Sequence, residues 1–399
     1  MTGIFAPWYN ENWTFKALLR LKKKHRGGVA LAKKGNQPVL GGFFPPAAAP
    51  PFPPGASGRN RTKLKKRLLC LALLLTLLVT GCSATQQPGS TATDSTVKTS
   101  GTGFYFDTVV TLTLYGADDT LLQDLLAACQ RYENLLSRTI PQSDVGRINA
   151  AGGKPVTVDP ETAGILRRAL EISVMTDRAF CVTIAPLTTL WDFSGGTHRM
   201  PTPEQRQAAL PLVDDTRLKV EGNQVTLPAG MQIDLGGIAK GYIADQLSQM
   251  CINRSHGALL NFGGNVYVVG RKPDGSPFRV GVRDPQDSGR SLAVISMGAG
   301  TVVTSGVYER CFEENGVFYH HILDPQTGLP AETDLSSATV VGQSSMDADA
   351  LATALIVMGK EKALAFCDAH KIDAMLIDRE DQVTCTPGFE EAYSLKIDR

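Results

Sequence analysis

The run KLKKRLLCLALLLTLLVTGC at residues 63–82 splits this 399-residue chain into two pieces of opposite character. Its apolar stretch, 68–79, falls short of the roughly 20 apolar residues that span a bilayer. A basic flank before a short apolar core suits a secretory signal instead, with an uncleaved anchor or a buried helix as the plainer alternative. Charge divides at the same place. Of 40 Lys and Arg, 14 lie in residues 1–67 against the single acid Glu11, which leaves 26 bases against 38 acids downstream. The downstream piece is therefore acidic, which argues against nucleic acid as its partner because phosphate backbones select basic surfaces.

The run closes on Val79, Thr80, Gly81 and Cys82, which resembles the bacterial lipobox. That resemblance implies cleavage before Cys82, a diacylglycerol thioether on its sulfur, and an extracytoplasmic protein anchored to the bacterial cell membrane. Upstream, residues 1–63 carry basic patches and a Pro and Ala tract at 45–54 without apolar periodicity, so they are expected to be disordered or never made. Residues 64–81 then form the signal, and 82–102, rich in Ser, Thr, Gln and Gly, a flexible tether. The folded part, 103–399, is long enough for one large domain or two small ones. Its cysteines show no CxxC and no zinc spacing; most are expected as small core residues, with no disulfide assignable.

Within the folded part, strand-like alternation at 104–115 gives way to helical spacing at 121–137 and 162–176. Strands are expected at 224–227, 257–262, 266–270, 279–282, 293–297, 302–305, 317–323 and 374–378, and helices at 345–358 and 360–370. Strands mixed with occasional helices, rather than strictly alternating with them, indicate the α+β class: mixed or antiparallel sheets with flanking helices.

Two neighbouring segments concentrate chemistry: HHILDPQTG at 320–328 and MDADALATALIVMG at 346–359. If 345–358 is a helix, Asp349 and Thr353 share one face and offer hard oxygens to Mg²⁺ or Ca²⁺, leaving room for phosphate oxygens. The same residues also suit a plain helix start, with Ser344 or Ser345 as cap and Asp347 and Asp349 at the positive end of the dipole. The first segment reads as a strand entering a turn opened by Asp324 and Pro325 and closed by Gly328. His321, with Asp324 nearby, is a candidate base, or else half of a partly exposed histidine pair.

A third segment, QIDLGGIAKGYIAD at 232–245, passes from a strand end at Asp234 through Gly236 and Gly237 into a helix carrying Lys240. Such a turn lets backbone amides and a lysine meet an anion, although a generic glycine turn uses the same residues. Neither the P-loop nor the Rossmann pattern is present. NFGGNV at 261–266 is a second glycine turn, which hairpin geometry explains. Thr304, Ser305, Gly306, Tyr308 and Arg310 could meet phosphate or a heterocycle, or simply end a strand beside a solvated Arg.

Taken in order, FDT at 106–108, LSRTIPQSDVGRIN at 136–149, AFCVTIAPL at 179–187, IDLGGIAKGYIAD, NFGG, TSGVYER, HHILDPQTG and DADALAT resemble the ApbE family of FAD:protein FMN transferases. The resemblance covers about residues 103–390. It implies a T-fold-related catalytic domain, undivided or of two subdomains, that works with Mg²⁺. Such an enzyme splits FAD at its pyrophosphate, joins FMN through a phosphoester to a Thr or Ser of a target flavoprotein bearing a flavinylation motif, and releases AMP. Targets in the family are subunits of membrane redox complexes or FMN-binding domains.

By matching motifs, Asp349 and Thr353, with the backbone carbonyl of Gly237, would hold the metal. Asp234, Lys240, the segment Ala179, Phe180 and Cys181, and the backbone near Leu323 would contact FAD. His321 would be the base for the acceptor hydroxyl. Three departures accompany the match: Cys181 stands where the family often has Asp, Phe106 where methionine is common, and Thr139 where an aromatic often sits. Packing of FAD against Phe106 and Thr139 is therefore expected to differ from the family's. Two alternatives share the site: hydrolysis of FAD to FMN and AMP, with water replacing the hydroxyl, and a lipoprotein that only binds FAD.

No methionine lies between Met1 and Met175, and the basic n-region begins near Leu64, so translation is expected to start at Leu64 from a non-AUG codon. Intact-mass analysis of the natively expressed protein tests this, and retention of Met1 contradicts it.

Overall fold

The alternating segment at 104–115, expected as one strand, folds instead into parts of two. In a computed structural model that describes residues 94–193 and 200–398, β1 (Lys98–Tyr105) and β2 (Thr108–Tyr115) pair antiparallel around Phe106 and Asp107. Both turn residues have positive φ, 56° and 55°, as a two-residue turn must if its twist is to match its strands. A period-2 pattern runs through such a tight turn almost unbroken, which hid it. Residues 98–102, expected in the tether, are thus paired sheet. The extension, the signal run, Cys82 and the tether as far as residue 93 lie outside the described residues.

All described residues belong to one compact unit, Thr93–Arg399. After β2 come α1 (Leu121–Leu136), α2 (Asp144–Ala150), β3 (Val156–Thr157), α3 (Pro160–Met175), α4 (Ala185–Trp191) and α5 (Pro203–Ala209). Next are β4 (Lys219–Glu221), β5 (Gln224–Thr226), α6 (Ala239–Cys251), β6 (Gly257–Phe262), β7 (Asn265–Gly270), β8 (Phe278–Arg283) and β9 (Ser291–Met297). The chain continues through β10 (Gly300–Gly306), β11 (Cys311–Glu314), β12 (Val317–His320), β13 (Leu335–Gly342), α7 (Ser345–Met358) and α8 (Lys360–His370). It ends with β14 (Asp373–Asp378), β15 (Val383–Cys385), α9 (Phe389–Ala392) and β16 (Lys396–Ile397).

Local chemistry sets these boundaries. Asp159 caps α3 ahead of Pro160, Ser143 caps α2, and Thr202 with Gln205 closes a reciprocal capping box on α5. Gly359, at φ 74°, separates α7 from α8, a conformation that an L side chain resists.

Eight strands form one antiparallel sheet in the order β1-β2-β6-β7-β10-β13-β14-β15. The α+β expectation holds, and the sheets are antiparallel throughout the described pairings. On one face Leu112, Leu260, Val303 and Val340 pack against Leu125, Ile165, Ile243 and Leu355 of the helices. On the other, Val268, Val302, Val341 and Ile377 meet Phe278, Ile295 and Phe389 of the β8–β9–β16 side. A strand covered on both faces need not alternate in hydropathy. That explains why β13, LSSATVVG, escapes a sequence reading: its Thr339 is buried and satisfied by Thr304, Oγ1 to Oγ1 2.9 Å. A smaller cluster holds Leu187, Trp191 and Leu323, and Trp191 Nε1 donates to Gly328 O at 2.9 Å, fastening α4 to the 324–328 turn.

The contact that places the later site is between α6 and α7. α7 is apolar nearly all round and lies buried between α6 and strands β10 and β13. Gly241 permits the approach of α6, since a Cβ there would stand 2.0 Å from Ser345 O. Asp245, one turn on, accepts from the Ser345 and Met346 amides at 2.7 and 2.9 Å and so caps α7 from outside, beside its own cap Ser344. Gly241→Ala is therefore expected to cost at least ~2 kcal/mol through overpacking. Gly164→Ala in α3, with nothing within 4 Å, should be neutral or gain up to ~1 kcal/mol. Urea-unfolding midpoints of the two variants check this, and equal midpoints contradict it.

Candidate active site

Asp349 sits in the second turn of α7, 2% exposed, with its carboxylate turned toward α6. Lys240 Nζ lies 3.3 and 3.4 Å from its two oxygens, and the Gly241 amide donates to Oδ2 at 3.0 Å. A buried carboxylate persists only with such partners. Lys240 also donates to Gly236 O at 2.6 Å, so the ammonium bridges the glycine turn and α7. One turn beyond Asp349, Thr353 Oγ1 bonds Asp349 O at 3.3 Å and lies 3.3 Å from Ser305 Oγ. A Cβ on Gly237 would be 3.7 Å from Thr353 Oγ1, so this backbone passes close to the hydroxyl.

The sequence reading puts Asp349 with the metal and Asp347 at the helix start or behind the ligands, and the structure keeps the two apart. Asp347 makes a two-point ion pair with Arg168 of α3, Nε and Nη2 each 2.8 Å from an oxygen, and is occupied in packing. Asp349 opens into a cleft.

The glycine turn is built by Asp234, whose Oδ1 accepts from Gly236 N at 2.8 Å while Oδ2 meets Arg138 Nε at 3.1 Å. Arg138 reaches on to Thr189 Oγ1 at 3.2 Å, and its neighbour Thr139 pairs with Ser137, Oγ to Oγ1 2.9 Å. Arg138 was not singled out from the sequence; it becomes visible only once α1 and the glycine turn converge.

His321 follows β12, and its amide bonds Arg310 O at 3.0 Å. Neighbouring residues of an extended chain point oppositely. His320 is therefore buried, with Nε2 on Ala331 O at 3.2 Å, whereas His321 lines the cleft. Burial, reinforced by the positive charges of Arg310 and Lys240, pushes the His321 imidazole down to about 3. Its Nδ1 is sealed off without a partner among the described residues, leaving Nε2 as the nitrogen that can meet a substrate. Asp324 does not supply a carboxylate to this histidine. Its oxygens hold the turn instead, accepting from Gln326 N at 2.8 Å and Thr327 Oγ1 at 3.2 Å.

The facing wall is Ala179, Phe180 and Cys181, with Phe106 from the β1–β2 turn. Cys181 does not present a free thiol: Sγ donates to buried Asp215 at 3.0 Å, which also receives the Thr183 amide at 2.9 Å. Burial beside that carboxylate drives the thiol far above its ordinary range. The Cys181 departure is thus absorbed by an internal network.

One cleft of about 450 Å³ takes in all of these positions: Phe106, Thr139, Ala179, Phe180, Cys181, Asp234, Gly237, Lys240, His321, Leu323, Asp349 and Thr353. Segments more than two hundred residues apart converge on a volume typical of small-molecule sites. Among the described residues no group of three His, Cys, Asp or Glu could hold a metal by itself. One carboxylate, one hydroxyl and one carbonyl do suit Mg²⁺, which usually takes few protein ligands and completes its shell with phosphates and water.

The fold and the cleft define an enzyme of the α+β class. The chain belongs to the ApbE family, whose profile matches residues 106–376. It is 36% identical over 287 residues to an FAD:protein FMN transferase of Treponema pallidum (strain Nichols), covering 67% of this chain and 79% of that protein. An FAD:protein FMN transferase of Klebsiella pneumoniae (strain 342) is 35% identical over 288 residues, covering 69% and 87%. In structure the chain matches the ApbE protein of Thermotoga maritima MSB8 with a TM-score of 0.70 at 31% identity, over 74% of this chain and 99% of that one. The flavinyl transferase ApbE of Pseudomonas stutzeri, in its apo form, matches at 0.67 and 31% identity, over 74% and 97%.

Proposed function

We propose that this protein transfers FMN from FAD to a hydroxyl of a target protein. The observation that carries the reading is the convergence, in one cleft, of His321 with the Lys240–Asp349 pair and Thr353 beside the glycine turn. Family membership and relatives named FAD:protein FMN transferase support the same activity.

In the proposed reaction the oxygen of an acceptor Thr or Ser attacks the FMN-side phosphorus of FAD. The new phosphoester P–O bond forms as the pyrophosphate P–O bond breaks, and AMP departs with the bonding electron pair. The hydroxyl proton passes to His321. Mg²⁺, held by Asp349, Thr353 and the Gly237 carbonyl, would supply Lewis-acid neutralisation of phosphate charge. Lys240 contributes a positive charge to the same region, and Asp234 with Arg138 fixes the turn on which the nucleotide rests.

The depressed basicity of His321 follows from its burial and from the cations beside it. Its imidazole stays neutral far below neutral pH, so it is ready to accept a proton rather than donate one. A pyrophosphate bound beside it would offset Arg310 and Lys240, raising the imidazole toward the range in which a general base is effective.

The chain's acidic downstream piece acts, in this reading, outside the cytoplasm. Support comes from the run at 63–82 and its closing Cys82, which would tether the enzyme by lipid near membrane-bound acceptors. The acceptor is a flavoprotein with a flavinylation motif.

Incubating the purified protein with FAD, Mg²⁺ and an acceptor domain bearing a flavinylation motif tests the function through its products. Transfer predicts a covalent fluorescent acceptor heavier by FMN, together with AMP. Free FMN and AMP alone would indicate hydrolysis, and unchanged FAD a binding protein. In His321→Ala, transfer should fall by at least ~10²-fold, the usual scale of a lost general base, with FAD affinity nearly unchanged. Equal loss of both contradicts the assignment of His321.

A further inference from the structure

Asn265 opens β7 directly after the Gly263 and Gly264 turn, lines the cleft, and is 2% exposed. Its Nδ2 has no hydrogen-bond partner among the described residues. Buried donors in this condition are rare, because nothing replaces the water they lose.

The surrounding ladder shows what Asn265 faces. Thr301 and Ser305 of β10 bond Ser345 and Thr353 of α7 at 3.0 and 3.3 Å, so strand and helix run in the same direction. Four strand steps and eight helix steps each cover about 12–14 Å, which brings the midpoints, Val303 and Asp349, opposite one another. Val303 is the direct partner of Asn265 in the β10–β7 ladder. Opposed residues of an antiparallel pair show their side chains on one face, and Val303 packs into the helix-side core. The Asn265 carboxamide therefore points to the helix-covered face of the sheet, where β7 packs chiefly against α6, and it shares the cleft with Lys240 and Asp349.

We infer that Asn265 binds substrate, its amide N–H donating to a pyrophosphate oxygen of FAD. The inference rests on the FAD-cleaving reading of this cleft. A neutral donor left unpaired beside a carboxylate and an ammonium calls for a strong acceptor, and an anionic phosphate oxygen is the strongest that the substrate carries. The uncharged flavin ring would gain much less at a place where Lys240 already concentrates positive charge.

The test titrates FAD, ADP and riboflavin separately into the full chain, without Mg²⁺ so that no turnover occurs, and compares Asn265→Leu with wild type. Removing an unpaired buried donor should leave thermal stability unchanged or raised. FAD and ADP affinities should fall about 10- to 100-fold, the scale of a hydrogen bond to a charged group, while riboflavin affinity stays within about 2-fold. Asn265→Ser, smaller and still polar, serves as the second variant and should weaken FAD and ADP with the same selectivity. Unchanged ADP and FAD affinity, or an equal fall for riboflavin, overturns the role of Asn265 alone. A wild-type chain that binds neither FAD nor ADP overturns the FAD reading with it.

Discussion

The contact between Lys240 and Asp349, closed by the Gly241 amide, is the interaction on which the rest of the molecule depends. A buried carboxylate on α7 needs a cation and a donor, and both come from the first turn of α6. That requirement fixes how the two helices meet. Gly241 must lack a side chain for the backbones to approach, and Asp245 must cap α7 from across the contact. The large sheet supports the pair from below through Thr301 and Ser305. The same contact leaves the Gly236–Gly237 turn and Thr353 side by side, with an ammonium between the turn and the carboxylate. Packing and chemistry are here one constraint.

Charge in the cleft follows from the same arrangement. Lys240, Arg310 and Arg138 line the cleft together with several carboxylates, and two of these cations are paired there, Arg138 with Asp234 and Lys240 with the buried Asp349. His321, half-buried beside them, is kept neutral by burial first and by Arg310 and Lys240 second. Asp245 shows the complementary effect: burial raises its carboxyl to about 6, against the lowering influence of the two amides it caps. A phosphate placed beside His321 would offset the two cations that help to lower its basicity.

Much of this was legible in the chain before any fold was known, and the failures have physical causes. Helices α7 and α8 could be bounded because Ser344 caps the first and Gly359 breaks the backbone between them. Asp349 and Thr353 could be paired because helical spacing alone puts them on one face. The motif order indicated the family, since eight short segments in succession constrain more than any one. What stayed hidden depends on tertiary partners. β13 does not alternate because both its faces are covered, and the β1–β2 turn keeps the alternation of its strands. Asn265 reads as a hairpin residue, and only the register of β7 on β10 places its unpaired donor on the face of the sheet that carries the cleft. Asp324 stands near His321 in sequence, but its reading as a turn-shaping residue is the one that its two side-chain bonds bear out.

The central claim is that Asp349, set by α6, is where the protein holds a divalent cation together with the substrate's phosphates. Calorimetric titration of Mg²⁺ into the protein, with and without ADP, tests it directly against Asp349→Asn, a substitution that keeps shape and removes charge. The account predicts Mg²⁺ binding that ADP strengthens at least ~10-fold in wild type and that Asp349→Asn abolishes, because a single carboxylate and phosphate oxygens would make up most of the proposed shell. Mg²⁺ binding of equal strength in Asp349→Asn, or indifferent to ADP in wild type, would contradict it.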